Sequence, residues 1–201
     1  LELHNVTWQG HAIDDAAMLR RLPETLRGLL IQINGFIQFG GGLHVRGACT
    51  APDWHSLRFA WDGEDAFHRL YSSVMPSDVP FAEDAVGDQY LLREGIVFRL
   101  FAEFDQVESL ETGLFTFLHR AQAEPMKLLS LEPLMQFSDE GGQMQPGELL
   151  SVMPPLVCRE SLQDCNVRTV ATTDRRRFLA GLARQIRDIP DGGSFTFDWS
   201  S

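Results

Sequence analysis

The chain is poor in lysine, in cysteine and in long apolar runs, and each scarcity excludes something. Lys127 is the single lysine among 201 residues, so a P-loop, which needs Gly-Lys-Ser/Thr around its phosphates, has no candidate. The stretch "GGGLHVRG" comes nearest to a dinucleotide loop, but Val45 stands where GxGxxG needs its third glycine. Cys49, Cys158 and Cys165 make an odd set with no CxxC pair, which suits neither a disulfide framework nor a zinc site. They read as reduced thiols used for packing, and the expected compartment is cytoplasmic. No apolar run approaches the ~20 residues of a membrane span. The longest candidate, "LRGLLIQINGFIQFGGGLHV", holds Arg27, Gln32, Asn34 and several glycines. The opening "LELHNVTWQG" has no basic residue followed by an apolar stretch, so no signal peptide is expected from it.

Chemistry motifs are scarce as well. There is no GxSxG, no HExxH and no EF-hand loop, the patterns that place a nucleophile, a zinc ion or calcium. The six histidines, His4, His11, His44, His55, His68 and His119, are scattered, and no pair has helix-ligand spacing. A Ser-His-Asp triad assembled in space leaves no mark in one sequence. No catalytic residue, metal ligand or cofactor site is assigned, and an unrecognised enzyme stays as a rival reading.

Positive charge is the other shortage. The net charge is −11, which argues against nucleic acid, whose binding rests on neutralising phosphates. Residues 62–111 hold twelve acids and three bases, so this segment supplies nine of the eleven net negative charges. A solvated acidic face explains such a run, and so does steering of a basic partner. The acids expected to face a partner are Asp62, Glu64, Asp65, Glu83, Glu108 and Glu111.

What is present reads as helices interleaved with hairpins. Residues from Ile13 give a helix, a break and a second helix opened by Pro23, whose missing N–H costs nothing at a first turn. Leu26, Leu29, Leu30 and Ile33 form its stripe, and Asn34-Gly35 stops it. "FGGGLHVRG" turns into a short strand, "SLRFAW" reads as another, and Glu64 to Tyr71 as a short helix burying Phe67 and Tyr71. Residues 88–93 and 96–102 form the best hairpin, turned at Glu94-Gly95. Its second strand is apolar on both faces and so belongs inside a sheet, with Arg99 as its awkward member. Ser109 is the expected cap of a helix burying Leu110, Leu114, Phe117, Leu118 and Ala121. A strand follows near Glu148–Val152, then a helix capped by Asp174 with Phe178, Leu182 and Ile186 as its stripe. Its arginines, Arg175, Arg176, Arg177, Arg184 and Arg187, are expected to pair with the acids of 62–111. Phe195, Phe197 and Trp199 alternate in a closing strand. Without repeated βαβ units the pattern predicts an α+β fold with a mainly antiparallel sheet flanked by helices. Length and the lack of a linker predict a single domain over 1–201.

The most distinctive stretch is "VPFAEDAVGDQYLLREGIVFRLFAE", residues 79–103. Its carboxylates Glu83, Asp84 and Asp88 are too few and too irregular for a calcium loop. An Asp beside a glycine turn can accept backbone N–H bonds and fix how the chain enters a strand, and Asp84 or Asp88 is expected to do so.

This stretch also resembles the core motif of the SUKH superfamily, which includes the fungal Smi/Knr cell-wall regulators and many bacterial immunity proteins that neutralise toxins. "LPETLRGLLIQINGF" is similar to that family's first helix and "GLFTFLHRAQAEP" to the helix after the hairpin. The resemblance covers roughly residues 19–155, leaving 156–201 as an extension expected to pack on the same domain. It implies an α+β domain that binds proteins and carries no catalytic set, with Asp84, Gly87 and Asp88 as fold-defining positions that could also border a binding cleft. The expected function is that of a cytoplasmic immunity protein blocking a basic toxin domain, and the rival is a regulatory or scaffold module without a toxin. A homodimer stays open.

Overall fold

A computed structural model describes residues 2–162, 165–190 and 192–194. Seven strands, β1 (Val6–Gln9), β2 (Phe36–Gln38), β3 (Leu43–Val45), β4 (Val79–Asp84), β5 (Gln89–Arg93), β6 (Ile96–Phe101) and β7 (Gln106–Gly113), lie side by side in chain order. Every neighbouring pair is antiparallel. Helices α1 (Ala16–Arg21), α2 (Glu24–Gln32), α3 (Leu57–Asp62), α4 (Phe67–Leu70), α5 (Leu114–Ala123), α6 (Pro125–Leu128) and α7 (Glu132–Asp139) surround this meander. A two-stranded sheet, β8 (Glu148–Met153) with β9 (Asn166–Ala171), and the long helix α8 (Thr172–Ile186) complete an α+β fold. Among the described residues no helix is long and apolar enough to cross a membrane.

The period-2 alternation of β5 divides the interior in two. Tyr90 and Leu92 enter one core with Leu26, Leu29, Phe81, Leu114 and Phe117, while Leu91 enters a second with Phe67, Tyr71, Leu100 and Leu179. Successive strand side chains point to opposite faces, so a strand buried on both faces belongs to both cores. The β5–β6 hairpin turns at Glu94 and Gly95, whose φ values of 50° and 84° are both positive, as a two-residue type I′ turn requires.

Three local expectations change. "SLRFAW" is α3, not a strand: the Ser56 hydroxyl accepts the Phe59 N–H at 3.3 Å, and Leu57, Ala60 and Trp61 are buried at helical spacing. Ser109 caps no helix. It lies inside β7, where its hydroxyl accepts the Glu111 N–H, and α5 starts at Leu114 after Gly113. The last helix begins two residues before Asp174, which sits in its first turn, and buries Leu179, Leu182 and Ala183 rather than Phe178 and Ile186. Helix α7 and strand β9 are elements that the sequence pattern does not announce. The closing strand through Phe195, Phe197 and Trp199 lies outside the described residues.

Candidate functional site

The acidic motif folds into a turn that closes on itself. After β4 ends at Asp84, one oxygen of that carboxylate, Oδ1, accepts the N–H groups of Val86, Gly87 and Asp88 at 3.2, 3.1 and 3.1 Å. Gly87 has φ 102°, and a Cβ there would stand 2.7 Å from a Leu179 methyl carbon, so both backbone and space demand glycine. Asp88 ties the turn to the end of the hairpin by accepting the Ala102 N–H at 2.9 Å. Arg99, from β6, joins the two carboxylates: its Nη2 lies 3.0 Å from Asp84 Oδ2 and 2.8 Å from Asp88 Oδ2, and donates to Ser130 Oγ at 2.6 Å. One guanidinium thus serves two buried carboxylates. Burial, then the neighbouring Asp88 charge, push the Asp84 carboxyl up to about 7.

Glu83, one residue earlier, points to the other side of the sheet and meets the opposite situation. It is buried, 1% exposed, and two guanidiniums converge on it: Arg46 Nη2 at 2.6 Å and Arg176 Nη2 at 3.1 Å. Gln89 Nε2 adds a further donor at 3.2 Å. Burial alone would raise this carboxyl, but Arg176 and Arg46 hold it well below the ordinary range. Glu83 is therefore corrected from a surface acid facing a partner to an interior counter-ion.

A chain of imidazoles leads away from Glu83. His44 Nδ1 lies 3.0 Å from Glu83 Oε1, His44 Nε2 lies 2.9 Å from His55 Nδ1, and His55 Nε2 lies 3.0 Å from the Asn34 carbonyl. The carbonyl can only accept, so His55 Nε2 carries a proton and its Nδ1 receives one from His44. Two neutral rings supply two protons for three contacts, so a bare His44 Nδ1 faces the carboxylate unless a third proton enters. Burial opposes that proton: it lowers His44, and with His44 beside it holds His55 down to about 3. His44, Trp8 and Trp54 line a cavity of about 180 Å³, yet both nitrogens of His44 are committed inside the protein, so the ring presents no free base to it.

The remaining arginines complete an internal pairing scheme. Helix α8 sends buried Arg175 to Glu103 at 3.4 Å and exposed Arg177 to Asp65 at 2.8 Å, and Arg187 beyond it reaches Asp105 at 3.1 Å. Arg93 holds Asp78 at 2.7 Å, and Arg21 holds Asp62. Eight of the twelve acids in 62–111 thereby take an arginine. Glu64, Glu94, Glu108 and Glu111 stay exposed and make no ion pair among the described residues. Of the six acids expected at a partner surface, Glu64, Glu108 and Glu111 are in the open, Asp62 and Asp65 carry an arginine, and Glu83 is inside. Arg46, His44 and His55 escape sequence reasoning altogether; Arg99 announces itself as a charge on an otherwise apolar strand.

Beside the Asp88–Arg99 pair a cleft of about 210 Å³ opens between Phe101, Phe104, Val86 and Leu156, with Glu103 and Ser130 at its wall. Phe104 and Leu156 are 45% and 39% exposed. Glu103 accepts the N–H groups of Leu156 and Val157 at 3.3 and 2.8 Å, which fixes the Leu156 side of the opening. Burial raises the Glu103 carboxyl. No family model matches this chain, and no curated protein matches it.

Proposed function

We propose that this chain is a non-catalytic, protein-binding domain of the SUKH type, and that it serves in the cytoplasm as an immunity protein by binding a toxin domain and covering its active site. The reading is carried by the division among the carboxylates. Those of the motif are consumed by the fold, as caps and counter-ions, and leave no acid–base pair free for chemistry. Glu64, Glu94, Glu108 and Glu111 remain exposed and form no ion pair among the described residues, on a chain of net charge −11. A nuclease toxin has to be basic to hold its polyanionic substrate, and an acidic inhibitor exploits that same charge.

Affinity capture with the full chain in its native cells, followed by co-expression with the captured protein, tests this. The expected result is a basic partner whose toxicity is relieved. Reversing Glu64 and Glu108 to Lys should slow association and flatten its salt dependence, with dissociation changed much less. An acidic partner, or a toxic partner that the chain binds without protecting the cell, would overturn the reading.

A further inference from the structure

We infer that the cleft between Phe104 and Leu156 receives one arginine or lysine side chain of the protein partner. The inference rests on the protein-binding reading above and names the place where the partner docks.

The first support is a charge count. Behind the cleft lie three carboxylates, Asp84, Asp88 and Glu103, and two guanidiniums, Arg99 and Arg175. Two other arginines of the C-terminal region are engaged elsewhere, Arg187 with Asp105 and Arg176 with Glu83. The cluster is one positive charge short, which favours retention of a proton by one of its carboxyls while the cleft is empty. The raised Asp84 and Glu103 carboxyls accord with that shortage. The other titratable groups that face the cluster, Tyr71, Tyr90 and Cys158, are pushed up by burial and stay protonated at neutral pH.

The second support is the shape and lining of the opening. Its walls are apolar, from Val86, Phe101, Phe104 and Leu156, and its charged members are Asp88, Glu103 and Arg99. Lysine and arginine combine a long aliphatic stem with a cationic head. The stem fits against Phe104 and Leu156, and an arginine head also gains from the ring faces. Acceptor capacity remains: among the described residues Asp88 Oδ1 holds only the Ala102 N–H, and Glu103 Oε2 only that of Val157, where each oxygen can take two. An anion would add to the surplus of carboxyls over guanidiniums, and an apolar side chain would leave the shortage unfilled.

Entry of a cation should therefore release the retained proton, and binding should tighten as pH rises. N-acetylarginine amide is the probe, N-acetylnorleucine amide its uncharged control, and NMR of the Leu156 methyls and Phe104 ring the readout on the full chain. The arginine probe should shift these signals, bind roughly three- to tenfold tighter at about pH 8 than at about pH 6, and lose affinity in Phe104→Ser, while the control leaves the signals unmoved. Equal responses to both probes, or equal affinity at both pH values, overturn the inference. The captured partner separates this from the broader reading. If Phe104→Ser with Leu156→Ser binds that partner as tightly as the native chain does, the cleft assignment fails and the protein-binding reading stands. If the arginine probe behaves as described but no basic partner exists, the cation site stands and the immunity reading fails.

Discussion

Glu83 and Asp84 are adjacent in sequence, both fully buried, and electrostatically opposite. Glu83 has two guanidiniums to itself, and Arg176 and Arg46 hold it well below the ordinary carboxylate range. Asp84 shares a single guanidinium with Asp88 and is driven up to about 7. The strand's alternation sends the two side chains into different surroundings. Burial is common to both, so it cannot account for the difference; the ratio of cations to carboxylates on each side of the sheet does. A buried charge is tolerable when its counter-charge is complete and costly when it is not.

Removing Glu83 should therefore do the most damage. Glu83→Ala leaves Arg46 and Arg176 buried without a counter-ion, and its expected cost is about 3–5 kcal/mol, seen as a large drop in the denaturant midpoint. Loss of Asp84 should come second: Asp84→Ala strips the cap from three N–H groups at about 1–3 kcal/mol. The neutral isosteres sharpen the contrast. Asp84→Asn keeps an acceptor for the turn and removes a charge that was already hard to hold, so it should cost clearly less than Glu83→Gln. An equal loss for the two isosteres would mean that the cation count is not what distinguishes the sites.

The pH dependence separates the two sides by sign. Folded Asp84 binds its proton more tightly than the unfolded chain does, so its contribution is complete below the unfolded value of 3.8 and fades as pH rises through about 7. His55 behaves conversely. Its ring protonates below 6.5 when unfolded but resists down to about 3 when folded, so stability is lost as pH falls below 6.5. In equilibrium unfolding, the penalty of Asp84→Asn should be larger near about pH 5 than near about pH 8. His55→Gln should flatten the loss of stability on acidification relative to the native chain. The smallest effect belongs to the exposed Arg177–Asp65 pair: Arg177→Ala should leave the melting temperature unchanged within error, because solvent screens such pairs.

The sequence revealed what depends on near neighbours. The Asp84–Gly87–Asp88 turn, the Glu94-Gly95 hairpin and the buried face of α5 were legible because their partners lie within a few residues. Helix α3 imitates a strand because Leu57, Phe59 and Trp61 alternate over only six residues, and its one local helix signal is the cap at Ser56. The acidic run was legible as composition but not as structure. Glu83 meets Arg46 across 37 residues and Arg176 across 93, and His44 and His55 come into contact only through the fold. A charge run reads as a surface until its counter-ions are located, and most of these were arginines brought in from other elements. Arg99 was the exception that could be suspected in advance, since a lone charge inside a two-sided apolar strand has to find a carboxylate.

The most direct test is a carboxyl-carbon NMR titration of Glu83 and Asp84 in the full chain. The cation count predicts that Asp84 titrates near about 7, while Glu83 shows no protonation step until the protein unfolds in acid. An Asp84 step near its unfolded value of 3.8, or a Glu83 step in the ordinary carboxylate range, would contradict it.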